Sequence, residues 1–297
     1  GIFTSTGKLT VAEHLNNWLD GYVKTNCAQR TIEGYRSIIE THLIPALGHL
    51  QLKNLNAAAI QRYYGRACQK LSARTVHHHH RVLFQSLKYA VRQGYLGLNP
   101  AERVDPPTPR KNAMRTMTPY EVEHFLDVAQ MSSYYPIYYT ALSTGLRQAE
   151  LLGLRWRDFD LDLCSISVSQ VLYKHNGINY FTQPKTEHSR RQVAMTPKLA
   201  VFLREYKKSR ELLYLDLDRI LSLDDLVFTS ITLEPLGASV LTHDFQRVIK
   251  RAGLSGVRFH DLRHTFASLM LLRGAKPKVI SEALGHSSVA FTMDTYS

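Results

Sequence analysis

The sequence predicts a multidomain protein of α and α+β class. A helical N-terminal domain covers residues 1–102, a basic proline-rich linker 103–116, and a mostly helical domain with a small antiparallel sheet 117–297. Three observations carry this reading. Apolar residues recur at helical spacing through the first hundred positions; Pro100, Pro106, Pro107 and Pro109 then break that rhythm; strand-like alternation is confined to a short stretch after residue 165. A chain of 297 residues has enough interior for two cores.

The first helix opens at a capping box, Thr10-Val11-Ala12-Glu13, and Val11, Leu15, Trp18, Leu19 and Tyr22 follow at helical spacing. A second runs from Thr31, with Ile32, Tyr35, Ile39 and Leu43 inward, and is expected to stop before Pro45 and Gly48. Asn56 caps a third through Tyr64, and Ser72 caps a fourth that Gly94 closes. At 100° per residue, Arg74, His77, Arg81, Lys88 and Arg92 of the fourth helix fall within an arc of about 60°, with Val76, Leu83, Leu87, Ala90 and Val91 roughly opposite. One face suits a core and the other suits phosphates. His77 to His80 lie within this helix, but four consecutive side chains point four ways and cannot chelate one ion, so no metal is expected.

The linker carries Arg103, Arg110, Lys111 and Arg115 among its prolines and can itself lie on phosphates. Thr118-Pro119-Tyr120-Glu121 then opens a helix with a cap, a proline at the first helical position and a returning acid. Residues 165–173 read as one strand, His175-Asn176-Gly177 as a hairpin turn into 178–183, and 191–195 as a stretch that can pair as a third strand. Helices return at 197–214, 242–252, 260–273 and 277–284, and 214–226 is ambiguous.

Charge sorts the domains in the same way. Lys and Arg number 37 against 25 Asp and Glu, a formal charge of +12. Residues 1–100 hold 12 of those cations and 4 of those acids, so most of the surplus sits in the helical domain, as expected of a module that grips a polyanion. Cys27, Cys68 and Cys164 are odd in number and lack CxxC spacing, which argues for reduced thiols in the cytoplasm or nucleoid. No apolar run approaches membrane-spanning length.

Four pieces carry the chemistry: Thr144-Gly145-Leu146-Arg147-Gln148-Ala149-Glu150-Leu151, then His260-Asp261-Leu262-Arg263-His264, then Leu284-Gly285-His286, then Tyr296. A phosphodiester under attack gains charge on two non-bridging oxygens, while its nucleophile loses a proton and its leaving alkoxide gains one. Arginine suits the first task because its planar fork donates bidentately and stays charged. His260 and Arg263, three apart, share one helix face, and Phe259, Leu262, Phe266 and Leu269 can turn to the core. Nothing resembles a Walker loop, and no acidic cluster suits Mg²⁺.

These pieces, in this order, resemble the tyrosine recombinases of the phage integrase family over nearly the whole chain. The resemblance implies Arg147, His260, Arg263 and His286 as catalytic residues, Tyr296 as nucleophile, Glu150 as a supporting acid and His264 as a structural brace. The family also delivers a hairpin lysine to the leaving oxygen. Gln183-Pro184-Lys185-Thr186 matches its place, which makes Lys185 the candidate, with Arg190 or Arg191 as rivals for an orienting role. The helical module is similar to the family's core-site DNA-binding domain, so Arg74, His77, Arg81, Lys88, Arg92, Arg110 and Lys111 are its candidate DNA contacts and the two domains would close around duplex DNA as a clamp.

What the resemblance implies is strand cleavage and rejoining through a 3′-phosphotyrosine, without a cofactor. The partners are double-stranded DNA, a tetramer on two sites, and accessory DNA-bending or excisionase proteins. An integrase of a bacterial phage or conjugative transposon is the favoured branch. The chain begins in the helical module and stops one residue after Tyr296, so a longer parent with an arm-site domain and a C-terminal tail is an open expectation. Two other classes fit parts of the set: a type IB topoisomerase, which shares the chemistry but exchanges no partners, and a DNA-binding regulator whose catalytic residues are silent.

Overall fold

The computed structural model describes residues 8–110, 114–175, 177–183 and 190–285, with Val289 and Met293. The chain divides into two compact units, Gly1–Asn112 and Ala113–Ser297. Among the described residues no helix is long and apolar enough to cross a membrane.

The first unit is built on four helices, α1 (11–26), α2 (29–47), α3 (Ala57–Ala67) and α4 (Ala73–Arg92), joined by short turns. Thr10 caps α1 as its sequence requires: its hydroxyl accepts from the Glu13 amide at 3.2 Å, and the Glu13 carboxylate accepts the Thr10 amide at 2.8 Å. Val11, Leu15, Trp18, Ile39, Leu43, Leu83 and Leu87 meet in one core. Each of the first two helices contains one wide π-turn, Leu19–Val23 in α1 and Ile39–Leu43 in α2. The second explains why α2 does not stop before Pro45. A proline ring clashes with the carbonyl four residues back in a regular helix; here the Ile44 amide reaches to Ile39, five residues back, and the loosened turn lets the helix continue to Leu47.

The second unit starts at the capping box of Thr118 and Glu121. Helices α5 (Pro119–Ala129), α6 (Tyr135–Thr144) and α7 (Gln148–Gly153) precede the strands, and α8 (Pro197–Asp216), α9 (Ala238–Arg251), α10 (Asp261–Leu272) and α11 (Pro277–Leu284) follow them. Aromatic rings fill the centre, with Phe125, Tyr138, Phe245 and Phe259 packed in mutual edge and tilted contacts. The 214–226 stretch is the end of α8 followed by turns, and its Leu226 pairs across an isolated bridge with Arg155.

The strand region corrects the sequence reading. Residues 165–173 are not one strand but two, β2 (Ser165–Ser167) and β3 (Val171–His175), and these belong to separate sheets. β2 lies between β1 (Phe159–Asp160) and β5 (Gln192–Ala194), all antiparallel, with Ile166 opposite both Phe159 and Val193. β3 pairs only with β4 (Ile178–Thr182), so β5 joins the other sheet instead of the hairpin. The break has a physical cause at 168–170. Ser169 donates to Asp158 at 2.7 Å and Gln170 donates to the Gly153 carbonyl at 2.8 Å, which turns the chain across the end of α7. A Cβ on Gly153 would stand 3.0 Å from Val171 Cα, so glycine lets β3 pass this close.

Candidate active site

The site is assembled from three places in the second unit that the sequence keeps far apart. Arg147 precedes α7, and its fork is set by Glu150 one turn on. The carboxylate accepts the Arg147 amide at 2.8 Å through one oxygen and its Nη1 at 2.8 Å through the other. The Arg147 side chain stays 37% exposed, whereas that of Glu150 is 3% exposed. Such a buried carboxylate must be fully paired. Its second partner is Arg191, just before β5, whose Nη1 and Nη2 donate to the two oxygens at 3.1 and 3.0 Å. Burial pushes the Glu150 carboxyl up, but the hydrogen bonds and charge of Arg191, with those of Arg147, outweigh it and hold the group below the usual glutamate range.

Arg263 enters from α10. It is buried, and donates Nη1 to the Gly145 carbonyl at 2.8 Å and Nη2 to the Leu284 carbonyl at 2.5 Å. Arg147 Nη2 faces the next carbonyl, that of Gly285, at 3.3 Å. The two candidate arginines therefore converge on consecutive carbonyls, directly before position 286. Gly145 makes the approach possible: it ends α6 with φ +66°, and a Cβ there would lie 2.4 Å from Phe266 and 2.8 Å from Leu284.

His260 stands at the N-terminus of α10, exposed to solvent. Crowding around the ring, and then the Arg263 charge, hold its imidazole below the ordinary histidine range. His264 packs edge-on against it at 5.0 Å, half-buried, and burial with the neighbouring His260 lowers it to about 4. Both rings are therefore neutral near pH 7, the form that can accept a proton. Asp261, fully buried, holds Arg258 at 2.8 Å and accepts its amide at 2.7 Å, which braces the start of the helix.

Lys185, His286 and Tyr296 lie outside the described residues, as does Lys111. What is described around them is the frame: Gln183 and Arg190 in mutual contact at the two ends of 184–189, beside a pocket of 480 Å³ lined also by Ser167 and Ser169, and Gly285 immediately before His286. The contacts of Arg191 were not foreseen. Its signal was available: Arg191, Val193 and Met195 alternate inward on one strand, and an arginine in such a register needs a buried acid.

In the first unit, Arg74, Arg81, Lys88 and Arg92 line the exposed side of α4, and Val76, Leu83, Leu87 and Ala90 are buried on the other. Arg92 also sits 6.0 Å over the Tyr22 ring. His77 is half-buried with Nδ1 3.3 Å from the Pro107 carbonyl, and Arg110 is exposed. Two further histidines of the run are engaged separately: His79 with Tyr63 at 2.8 Å and His80 with Tyr64 at 2.8 Å. Among the described residues, no group of three or more acids, histidines or cysteines could hold a metal ion.

Residues 115–297 match the model of the phage integrase family, and residues 10–66 match the phage integrase N-terminal SAM-like domain. A tyrosine recombinase XerC-like protein of Caldanaerobacter subterraneus is 28% identical over 97% of this chain and 79% of its own length. The ICEBs1 integrase of Bacillus subtilis is 31% identical over 70% of this chain and 56% of its own. Among solved structures, the Tn1549 transposon integrase in complex with a circular intermediate DNA aligns with a TM-score of 0.85 at 22% identity, covering 98% of this chain and 95% of that one. A lambda integrase tetramer bound to a Holliday junction aligns at 0.74 and 18% identity, over 98% and 79%. The chain belongs to the phage integrase family. It is a tyrosine-type site-specific recombinase.

Proposed function

We propose that this recombinase cuts and rejoins the ends of a bacterial mobile element through a 3′-phosphotyrosine on Tyr296. The phenolic oxygen attacks phosphorus as the bond to the 5′ oxygen breaks. The phenol proton passes to His260, whose imidazole is neutral and able to take it, and Lys185 returns a proton to the leaving 5′ oxygen. Arg147, half-open to solvent, and the buried Arg263 supply fixed positive charge for the non-bridging oxygens. His286 adds a hydrogen bond to the same phosphate, Glu150 holds Arg147 in place, and His264 braces the helix that carries His260. The covalent bond retains the energy of the phosphodiester, so rejoining needs no nucleotide.

One observation carries this reading: two arginines from separate elements meet at the carbonyls of Leu284 and Gly285, next to the segment that holds His286 and Tyr296. The exposed cations of α4, with Arg110 and Lys111 of the linker, would lie on the DNA backbone as the two domains, divided at 103–116, close around the duplex. The partners are double-stranded DNA, further copies of the chain in a tetramer on two sites, and accessory DNA-bending or excisionase proteins, in the bacterial cytoplasm at the nucleoid. The test is covalent trapping on nicked duplexes from the element's ends, run beside Tyr296→Phe. The parent should give a slow-migrating protein–DNA band on a denaturing gel, and the variant should bind DNA but give none. A band that survives in Tyr296→Phe would overturn the assignment.

A further inference from the structure

Three successive carbonyls at the end of α11 are each capped by a different guanidinium. Ala283 accepts from Arg191 Nε at 2.7 Å, Leu284 from Arg263 Nη2 at 2.5 Å, and Gly285 from Arg147 Nη2 at 3.3 Å. Carbonyls at a helix end have no partner within the helix and carry partial negative charge, so cations are favoured there. Capping alone does not explain why three arginines come from three separate elements. Two of them have work at the phosphate. The third, Arg191, has none in the mechanism above, yet it ties the Ala283 carbonyl to the Glu150 carboxylate.

Its fork holds two partners at once. Nη1 and Nη2 hold the Glu150 carboxylate, which orients Arg147, while Nε holds the Ala283 carbonyl. Its side chain is 7% exposed and that of Glu150 is 3% exposed, so no DNA phosphate competes for either. Along the chain, Arg191 also follows directly on the segment that carries Lys185. We infer that Arg191 is a positioning residue, which locks the end of α11, and so the start of the segment bearing His286 and Tyr296, to the carboxylate that sets Arg147. It acts through Glu150 and the Ala283 carbonyl without touching DNA. The inference rests on the assignment of Tyr296 as nucleophile.

Lysine cannot replace this fork. An ammonium is a point charge on a flexible stem; it can keep the attraction to Glu150 but cannot hold a carboxylate and a carbonyl at three fixed angles. Arg191→Lys therefore separates charge from geometry. In single-turnover cleavage of a nicked duplex, normalised to the DNA-bound fraction, Arg191→Lys should cleave about 100-fold more slowly, the scale of a reacting group misplaced by an ångström. Its DNA affinity and melting transition should stay near those of the parent. A second variant, Arg191→Ala, should regain part of its cleavage when guanidinium ion is added, because the ion refills the vacated fork; a general loss of packing would show no such rescue.

The outcomes separate cleanly. A parent chain that traps no DNA fails the assignment of Tyr296. A parent that traps beside an equally fast Arg191→Lys overturns the positioning role alone. Loss of DNA binding and of the folded state in both variants would assign Arg191 to the fold itself and also overturn it.

Discussion

Gly145 shows how one residue without a side chain sets a charged one. It closes α6 in the left-handed region, and its carbonyl receives Arg263. Gly145→Ala adds backbone strain and a Cβ 2.4 Å from Phe266, which should destabilise the protein by about 2 kcal/mol or more in denaturant unfolding. Glu150 gives a prediction in pH. Its folded pKa is held below the ordinary 4.5, so its contribution is present above that value and is lost as pH falls through and below it. The stability gap between the parent and Glu150→Gln should be wide at pH 7 and shrink toward acid in paired melting curves. A constant gap would mean that the carboxylate's charge is not what stabilises it. At this scale the sequence was most legible where a motif is contiguous. Arg147 and Glu150 are three residues apart, and the structure pairs them. Arg191 lies 41 residues from Glu150, and only its place on the same side as Val193 and Met195 hinted that it needed a buried acid.

Elements behave as their periodicity dictates until a neighbour intervenes. α4 is the plain case: its cap, its span and its two faces are all readable from Ser72 to Arg92, because hydrophobic spacing and capping agree. Losing Arg81 or Lys88 to alanine should weaken binding across DNA sequences and flatten the salt dependence by about one unit of slope per lost phosphate contact, measured by titration at several salt concentrations. The buried side of the same helix is sensitive to acid. Burial, then the nearby His42 and His78, hold His79 at about 4 against the ordinary 6.5, and His14 and His80 are also lowered. An unfolded chain takes up these protons first, so stability should fall from pH 6.5 toward 4 and level off below, with His79→Gln showing a shallower decline. The strands were less legible. Alternation continues through 165–173 in the sequence, but Ser169 and Gln170 find polar partners on Asp158 and Gly153, and those bonds redirect the chain into a second sheet.

Across the whole molecule, each unit has its own main core, drawn from its own stretch of helical periodicity, and a smaller cluster of Phe266, Ala267, Ile280 and Leu284 packs α10 against α11 in the second. Residues 1–112 and 113–297 expressed apart should each unfold cooperatively, and a fragment without a melting transition would show that its core is incomplete alone. The prolines between 100 and 109 forbid a continuous helix there, which is why the sequence suggests a linker at 103–116. The wide turn in α1 has one more consequence. At 100° per residue Val23 would fall about 120° from Val11 and off the buried face, yet both are fully buried. The turn thus behaves as a one-residue insertion that a helix has absorbed without a loop, bringing its second half back into phase. Deleting a single residue within 19–23 should therefore leave a regular helix whose second half keeps its buried face, because eleven residues at 100° each bring Val23 to within about 20° of Val11.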